Sequence, residues 1–569
     1  MARIAAGVVI CGDLDLGWAV IREMDAGRAA MRGWLPRCDD RTIVARWIKG
    51  PGLKPLFLGD LFAGLKGRAP SAIQEPGYCR ISFLRPVLSL VMALLFAAPA
   101  WAHVGSKDVF EQVNAGPYKL FVTVRTPFVI PGVATIEVRA SGPKVSGIRI
   151  APLPLTGEAS KHPPTPDAMK VSTGDSQFYT GSLWLMAAGS WQVRFEVDGE
   201  AGHASAGVPV PAIPIAIMPM QRSLGIVLGL LGLILAVGMA GIVGGAVREA
   251  RLAPGAVPTP NRRRRALIAS VAALVVAGFA IYLGGKWWNV EAASHAARIY
   301  RPLELKPILR GNVLDLSFGG YSERRGRWKA GSLLDLVPDH GQMMHLYAIR
   351  WPGMDAVFHL HPQSVGENRL SMALPAMRAG EYRLYADIVH ANGFPETLTA
   401  NLTVPEGMST AALAADDASA APPEISQSKM ETTYKLPDGY SMVWDRPAEI
   451  TANTAYSFRF RLLGPDGQPA TDMQPYLGMS GHAAFVKYDG SVFAHTHPDG
   501  SAAMPAMMMA NGESMADMPG MQVPMPAEPP SPVVEFPYGF PTAGRYRIFI
   551  QMKHGGVVET GVFDADVQA

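Results

Sequence analysis

Residues Gly481–Gly500 read GHAAFVKYDGSVFAHTHPDG, with Asp489-Gly490 at the centre of an apolar, alternating stretch. That dipeptide is a strong two-residue hairpin signal. Pairing Tyr488 with Ser491 sets His482 directly opposite His497. His495, two residues earlier on the return strand, points to the same face. Opposed Cβ atoms in such a pair lie about 5 Å apart, close enough to share one metal ion. Three of the chain's 13 histidines thus converge on one face of one hairpin.

The pattern occurs twice. GQMMHLYAIRWPGMDAVFHLHP and AGEYRLYADIVHANG upstream answer to GMSGHAAFVKYDGSVFAHTHP and AGRYRIFIQMKHGG downstream. Gly380 to His390 and Gly544 to His554 are each ten residues apart within matching G-x-Y-R frames. This is internal duplication, and the shared histidines are His345, His359, His361 and His390 in the first copy and His482, His495, His497 and His554 in the second. The first copy has one extra residue between its first two histidines, absorbed by a loop at Pro352-Gly353-Met354 that again sets His345 opposite His361. His390 and His554 end a following strand, and strand order decides whether they reach the same edge.

One histidine on a strand is ordinarily a surface or locally hydrogen-bonded residue. A set of three or four repeated in register points instead to a metal ion, and imidazole nitrogen suits copper, zinc or nickel. His340 has no counterpart, since Leu477 stands there, and it falls outside the expected set. No Ser/His/Asp order or H-E-x-x-H helix accompanies the clusters. Asp387 and Glu381 are answered by Gln551 and Arg545, so the repeat supplies no general base and the sequence identifies no enzyme.

The second copy carries an insertion at residues 501–532. It holds Met504, Met507, Met508, Met509, Met515, Met518, Met521 and Met525, eight of the chain's 28 methionines. Proline and glycine forbid one continuous helix through it, so it is not a core stripe. Thioethers are soft ligands that favour Cu(I) and bind zinc poorly. A low-complexity linker or an apolar partner patch would be the plain alternative. The segment is similar to the Met-, Pro- and Gly-rich stretches of periplasmic copper-resistance proteins and multicopper oxidases. That resemblance implies copper as Cu(I) or Cu(II), with zinc the alternative. Met343, Met344 and Met479 lie near the first histidine of each copy.

Leu84–Ala102 (LRPVLSLVMALLFAAPAWA) follows Arg80 and ends in a small-x-small site, the layout of a secretory signal peptide over residues 81–102. Residues 1–80 are a doubtful extension ahead of it, read as the product of a start site assigned too far upstream. Cleavage after Ala102 would leave His103 first, offering an amine and an imidazole to Cu(II). Leu224–Val247 carries no charge and is long enough to span a bilayer. The expected spans are 223–247 and 266–285, around a basic loop at 248–265 that contains Arg248, Arg251 and Arg262 to Arg265. The positive-inside rule puts that loop in the cytoplasm and both large soluble parts in the periplasm. Gly225, Gly229, Gly241 and Gly245 form small-xxx-small spacings expected at the helix contact. Neither span carries an ionisable residue, which argues against a pump or channel.

At 569 residues, with 59 glycines, 48 prolines and 17% charged residues, the chain is too long for one core and suits β-rich units with membrane helices. Its net charge of +3 comes without a basic stripe, so no nucleic-acid partner is expected. Its three cysteines all precede residue 80, so thiolate metal sites and disulfides are excluded beyond it. Residues 103–220 alternate in short strands. Within them GPYKLFVTVRTPFVIPGVATIEVRA and GSWQVRFEVDGEAG resemble the YtkA/FixH-like group of exported β-sandwiches. That resemblance implies an immunoglobulin-like sandwich beside metal-handling membrane proteins.

The sequence is therefore read as mainly β: immunoglobulin-like sandwich domains, one amino-terminal and two tandem carboxy-terminal (298–404 and 431–569, with a linker at 405–430), joined by two transmembrane helices. The expected function is periplasmic copper binding at the inner membrane, for copper tolerance or delivery to a cuproenzyme or copper transporter. An exported zinc- or nickel-binding module, or an envelope scaffold without metal, would be the alternatives.

Overall fold

The computed structural model describes residues 6–10, 19–23 and 108–569, apart from 219, 298, 320–334, 367–368, 428 and 514–528. The signal peptide, His103, Met515, Met518, Met521 and Met525 lie outside the described residues. Met1–Ala98 forms a unit of its own, described only as an antiparallel hairpin of Ala6–Ile10 with Ala19–Glu23. The second unit, Pro99–Ala569, is mainly β, built of antiparallel sheets and two long apolar helices.

Alternation places the amino-terminal strands as the sequence suggests. Tyr118–Arg125 pairs with Val109–Ala115 and Gly132–Ser141. A second sheet is built on Val145–Pro154, Gly189–Gly199 and Gly202–Ala212. Leu120, Val122, Ile136 and Val138 from the first sheet share one core with Ile148, Val193, Phe195 and Val208 from the second. Polar residues alternate outward, as a half-buried strand requires.

Two helices follow, Arg222–Glu249 and Pro260–Ala296, both long and apolar enough to cross a membrane. The second begins earlier than expected, so Arg262 to Arg265 sit in its first turns, with Pro260 at the position that tolerates a missing N–H. The helix contact also differs from expectation. A Cβ at Gly229, Gly241 or Gly245 would meet nothing within 4 Å, whereas Gly244 lies against Ser270. Ala240, Gly244 and Ala266 are the buried positions, and the Ser270 hydroxyl donates to the Ala240 carbonyl at 2.8 Å. One residue is about 100° of helix, so Ala240/Gly244 face the partner and Gly241/Gly245 face away. At the opposite end of this helical hairpin the Tyr300 N–H donates to the Pro214 carbonyl at 2.8 Å, which brings both β regions to one end and the arginines to the other.

The duplicated segments fold alike. In each, an eleven-residue strand (Gly380–His390, Gly544–His554) runs beside the hairpin that bears the histidines. The observed ladders pair Leu346 with Leu360 and Tyr347 with His359 in the first copy, and Ala483 with Thr496 and Ala484 with His495 in the second. Both registers are those counted from the turns.

These strands are buried on both faces. Leu346, Ala348, Leu384 and Ala386 point into the first copy's own core, and Phe485, Ile548 and Ile550 into the second's. The alternate residues meet between the copies: Tyr347, Ile349, Val357 and Tyr385 pack on Ala484, Val486, Phe493 and Phe549. The linker takes part, because Ala418–Ala420 adds a strand to the edge at Val357–His359.

The amino-terminal sheets seat on the loop after His497. Glu111 bridges Gly500, the Gln112 N–H donates to the Asp499 carbonyl at 2.6 Å, and Phe110 enters the second copy's core. Gly500 has φ 146°, and a Cβ there would lie 2.3 Å from the Phe110 carbonyl oxygen. Gly500→Ala is therefore expected to destabilise this junction by about 1–3 kcal/mol, read as a lower melting temperature with the strand content unchanged.

Candidate metal centre

The faces that each copy turns toward the other carry its histidines, so the two hairpin sets meet. His345, His359 and His361 from the first copy and His482, His495 and His497 from the second form one buried cluster. Ring centroids across the copies lie 5.1 Å apart for His345–His495 and 5.8 Å for His359–His482. His340, set aside by the sequence reading, is a seventh member, 4.7 Å from His497 by ring centroid. What looked like one site per hairpin is a shared site. Ligand atoms of three groups fall within 4.8 Å of one another: His345/His359/His361, His345/His482/His495 and Asp339/His340/His497.

The neighbours fix which nitrogen of each ring faces inward. His359 Nδ1 is 2.7 Å from Gln551 Oε1, an acceptor, so Nδ1 carries the proton and Nε2 keeps its lone pair. The ring also stacks on Tyr347 at 4.2 Å. His345 Nε2 donates to the Asp339 carbonyl at 3.1 Å, leaving Nδ1 unprotonated. These two lone pairs face each other across 3.1 Å. Two lone pairs at that distance repel, and a shared cation relieves the repulsion.

The same arrangement recurs around the cluster. His361 Nδ1 lies 3.0 Å from Asp417, and His495 Nδ1 lies 3.2 Å from Asp387. The Nε2 atoms of His361, His495 and His497, and both nitrogens of His482, are buried without a hydrogen-bond partner among the described residues. His361 and His495 thus each have a carboxylate on one side and a bare nitrogen on the other, the usual arrangement of a metal-binding histidine, whereas His482 has neither nitrogen held. The orienting groups cross between the copies: Gln551 of the second holds His359 of the first, and Asp387 of the first holds His495 of the second.

Burial holds His345, His359, His482 and His497 well below the ordinary histidine range, and repulsion among the rings adds to it. Burial also lowers His340, against the opposing pull of Asp339. Folded, these imidazoles stay neutral, whereas in the unfolded chain they protonate near pH 6.5. Stability of the metal-free protein is thus fully present above about pH 6.5 and falls below it, because there the unfolded state binds more protons. Each such histidine adds a slope of up to about 1.4 kcal/mol per pH unit. Melting curves in chelator at pH 7.5 and pH 5.5 check this, and a melting temperature equal at both would contradict it.

His390 and His554 do not join the cluster. His390 sits between Asp335 and Glu396, each at 3.0 Å, and His554 between Asp438 at 3.2 Å and Asp472 at 3.3 Å. Strand parity is the reason. Asp387 faces the other copy, and His390, three residues on, faces the first copy's own core with Ile388. Both His390 nitrogens hydrogen-bond carboxylates, whereas His554 hydrogen-bonds Asp472 through Nδ1 and its Nε2 lies 3.2 Å from Asp438 without a hydrogen bond. Burial alone would lower His390, but Glu396 and Asp335 together raise it.

Of the methionines, Met504, Met507, Met508 and Met509 lie on a short helix, Met504–Ala510. They are half-buried rather than free in a loop, and Met507 packs against the amino-terminal core. The helix borders a cavity of about 120 Å³ whose walls include Trp191, Asp339, Asp387, His495, His497 and Ala506. Through His495 and His497 the cavity borders the cluster.

A family model described as a domain of unknown function (DUF8832) matches residues 323–406 and 433–569, taking in both histidine copies. No curated protein matches the chain. Among solved structures, Salmonella alpha-2-macroglobulin reacted with methylamine is 10% identical over 80% of this chain and 24% of that one, with a TM-score of 0.18. A bacterial ice-binding adhesin is 8% identical over 80% of this chain and 99% of that one, with a TM-score of 0.12. The chain thus spans about a quarter of the macroglobulin's length.

Proposed function

We propose that this is a membrane-anchored, periplasm-facing metal-binding protein whose resident or carried ion is copper, serving copper tolerance or delivery to a cuproenzyme or copper transporter. The observation that carries the reading is the set of inward lone pairs, above all His345 Nδ1 facing His359 Nε2 at 3.1 Å in a buried site. Neutral imidazoles without thiolate fit Cu(II) and Cu(I), and the methionine-rich segment that follows His497 in the chain favours Cu(I) over zinc. The amino-terminal sheet pair and the two histidine copies are read as immunoglobulin-like sandwiches, the first akin to the YtkA/FixH group. The helical hairpin, with its arginines at one end, is read as an anchor in the inner membrane with that end in the cytoplasm.

The test is metal content of the full chain after expression with copper and zinc both present. The unmodified protein is expected to retain copper. His345→Ala with His497→Ala, which together interrupt all three ligand groups, is expected to retain none. Zinc in place of copper would move the assignment to a zinc module, and a metal-free protein would refute metal binding.

A further inference from the structure

The cluster is larger than one ion needs. We infer that it is a two-metal centre, in which a second ion is held by Asp339, His340 and His497 apart from the one at His345, His359 and His361. This rests on the metal-binding reading and adds to it a site that the histidine repeat alone does not contain.

The two triads share no residue, and in each the ligand atoms lie within 4.8 Å of one another. Asp339, His340 and His497 are all more than nine-tenths buried. His340 Nδ1 and His497 Nε2 have no hydrogen-bond partner among the described residues. A buried bare imidazole nitrogen costs free energy unless something binds it, and two such atoms beside a buried carboxylate share one remedy. His340 stands in a left-handed turn with φ 48°, and Leu477 takes the matching position in the second copy with φ 50°. The turn therefore does not require histidine. An apolar residue serves the fold in one copy, and the other spends the position on an imidazole aimed at His497.

Asp339 couples the two sites. Its main-chain carbonyl orients His345, and its carboxylate, which also accepts the Met504 N–H at 2.9 Å, is a ligand of the second ion. The sites differ in access. Asp339 and His497 line the 120 Å³ cavity, whereas His345, His359 and His361 do not. Three protein ligands beside a cavity leave a coordination position that a small exogenous ligand can reach, while the tri-imidazole triad has no member on the cavity wall.

The experiment uses the full chain loaded with Cu(II) and freed of excess metal. The unmodified protein is expected to hold two ions, with azide perturbing the electron paramagnetic resonance signal of one. His340→Leu, which copies the second repeat, and Asp339→Asn, which keeps the carbonyl on His345, are each expected to hold one ion and to lose the azide response. Two ions retained in both variants, or one ion in the unmodified chain unaffected by either change, would overturn the two-metal inference alone. An unmodified chain holding no metal would overturn this inference and the metal-binding reading together.

Discussion

Alanine at His345 is expected to cost the protein the metal of its tri-imidazole site while leaving the fold intact. Its Nδ1 is one jaw of the 3.1 Å pair with His359 Nε2, and His345 is the residue common to two of the three ligand groups. Its Nε2–H rests on a main-chain carbonyl, so truncation leaves no buried charge behind. The expected result is one ion per chain where the unmodified protein holds two. Gln551→Leu should act more mildly, lowering affinity at that site about 10–100-fold, because it only frees the His359 ring to turn. Competition with a coloured chelator separates these outcomes. Full metal retention in His345→Ala would contradict the assignment.

The largest stability effect is expected at Arg547. Its side chain is buried, and Nε and Nη2 each lie 2.8 Å from the two Asp564 oxygens. Nη1 donates to the Met354 carbonyl at 2.7 Å and to the Pro423 carbonyl at 2.8 Å, which ties the second copy to the first copy's turn and to the linker. Arg547→Met strands a buried carboxylate and leaves both carbonyls without this donor. Breaking such a pair from one side costs about 3–5 kcal/mol. Arg547→Met with Asp564→Leu should recover part of it, since no charge is then left uncompensated. Urea midpoints of the detergent-solubilised chain provide the measurement. A midpoint unchanged in the single variant would contradict the prediction.

Much of this was legible from residues alone. Asp489-Gly490 fixed one register, the G-x-Y-R frames gave the duplication, and both ladders pair as counted. The meeting of the two hairpins was harder to see, although a signal existed. Tyr347, Ile349, Ala484, Val486 and Phe549 make the outward faces as apolar as the inward ones, and strands apolar on both sides are covered on both sides. The same parity separates His390 and His554 from the cluster. Asp387 and Gln551 differ in charge but stand alike beside a ring of the other copy, because an oxygen acceptor holds a ring N–H whether it belongs to a carboxylate or an amide. Asp417 gives no sequence signal, since it reaches His361 from a linker whose path depends on the packed copies. His340 carries no repeat signal, because matching the two copies reveals only what both of them hold.

The crossing of Gln551 and Asp387 between the copies also bears on ancestry. Each copy orients a ring of the other, which is the reciprocity of an isologous dimer, residue i touching j and j touching i. Fusing two such subunits into one chain makes their encounter intramolecular, so the centre no longer dissolves on dilution. Once joined, the halves were free to diverge. Carboxylate against amide and His340 against Leu477 record that divergence, and a symmetric pair of identical subunits could not have kept either.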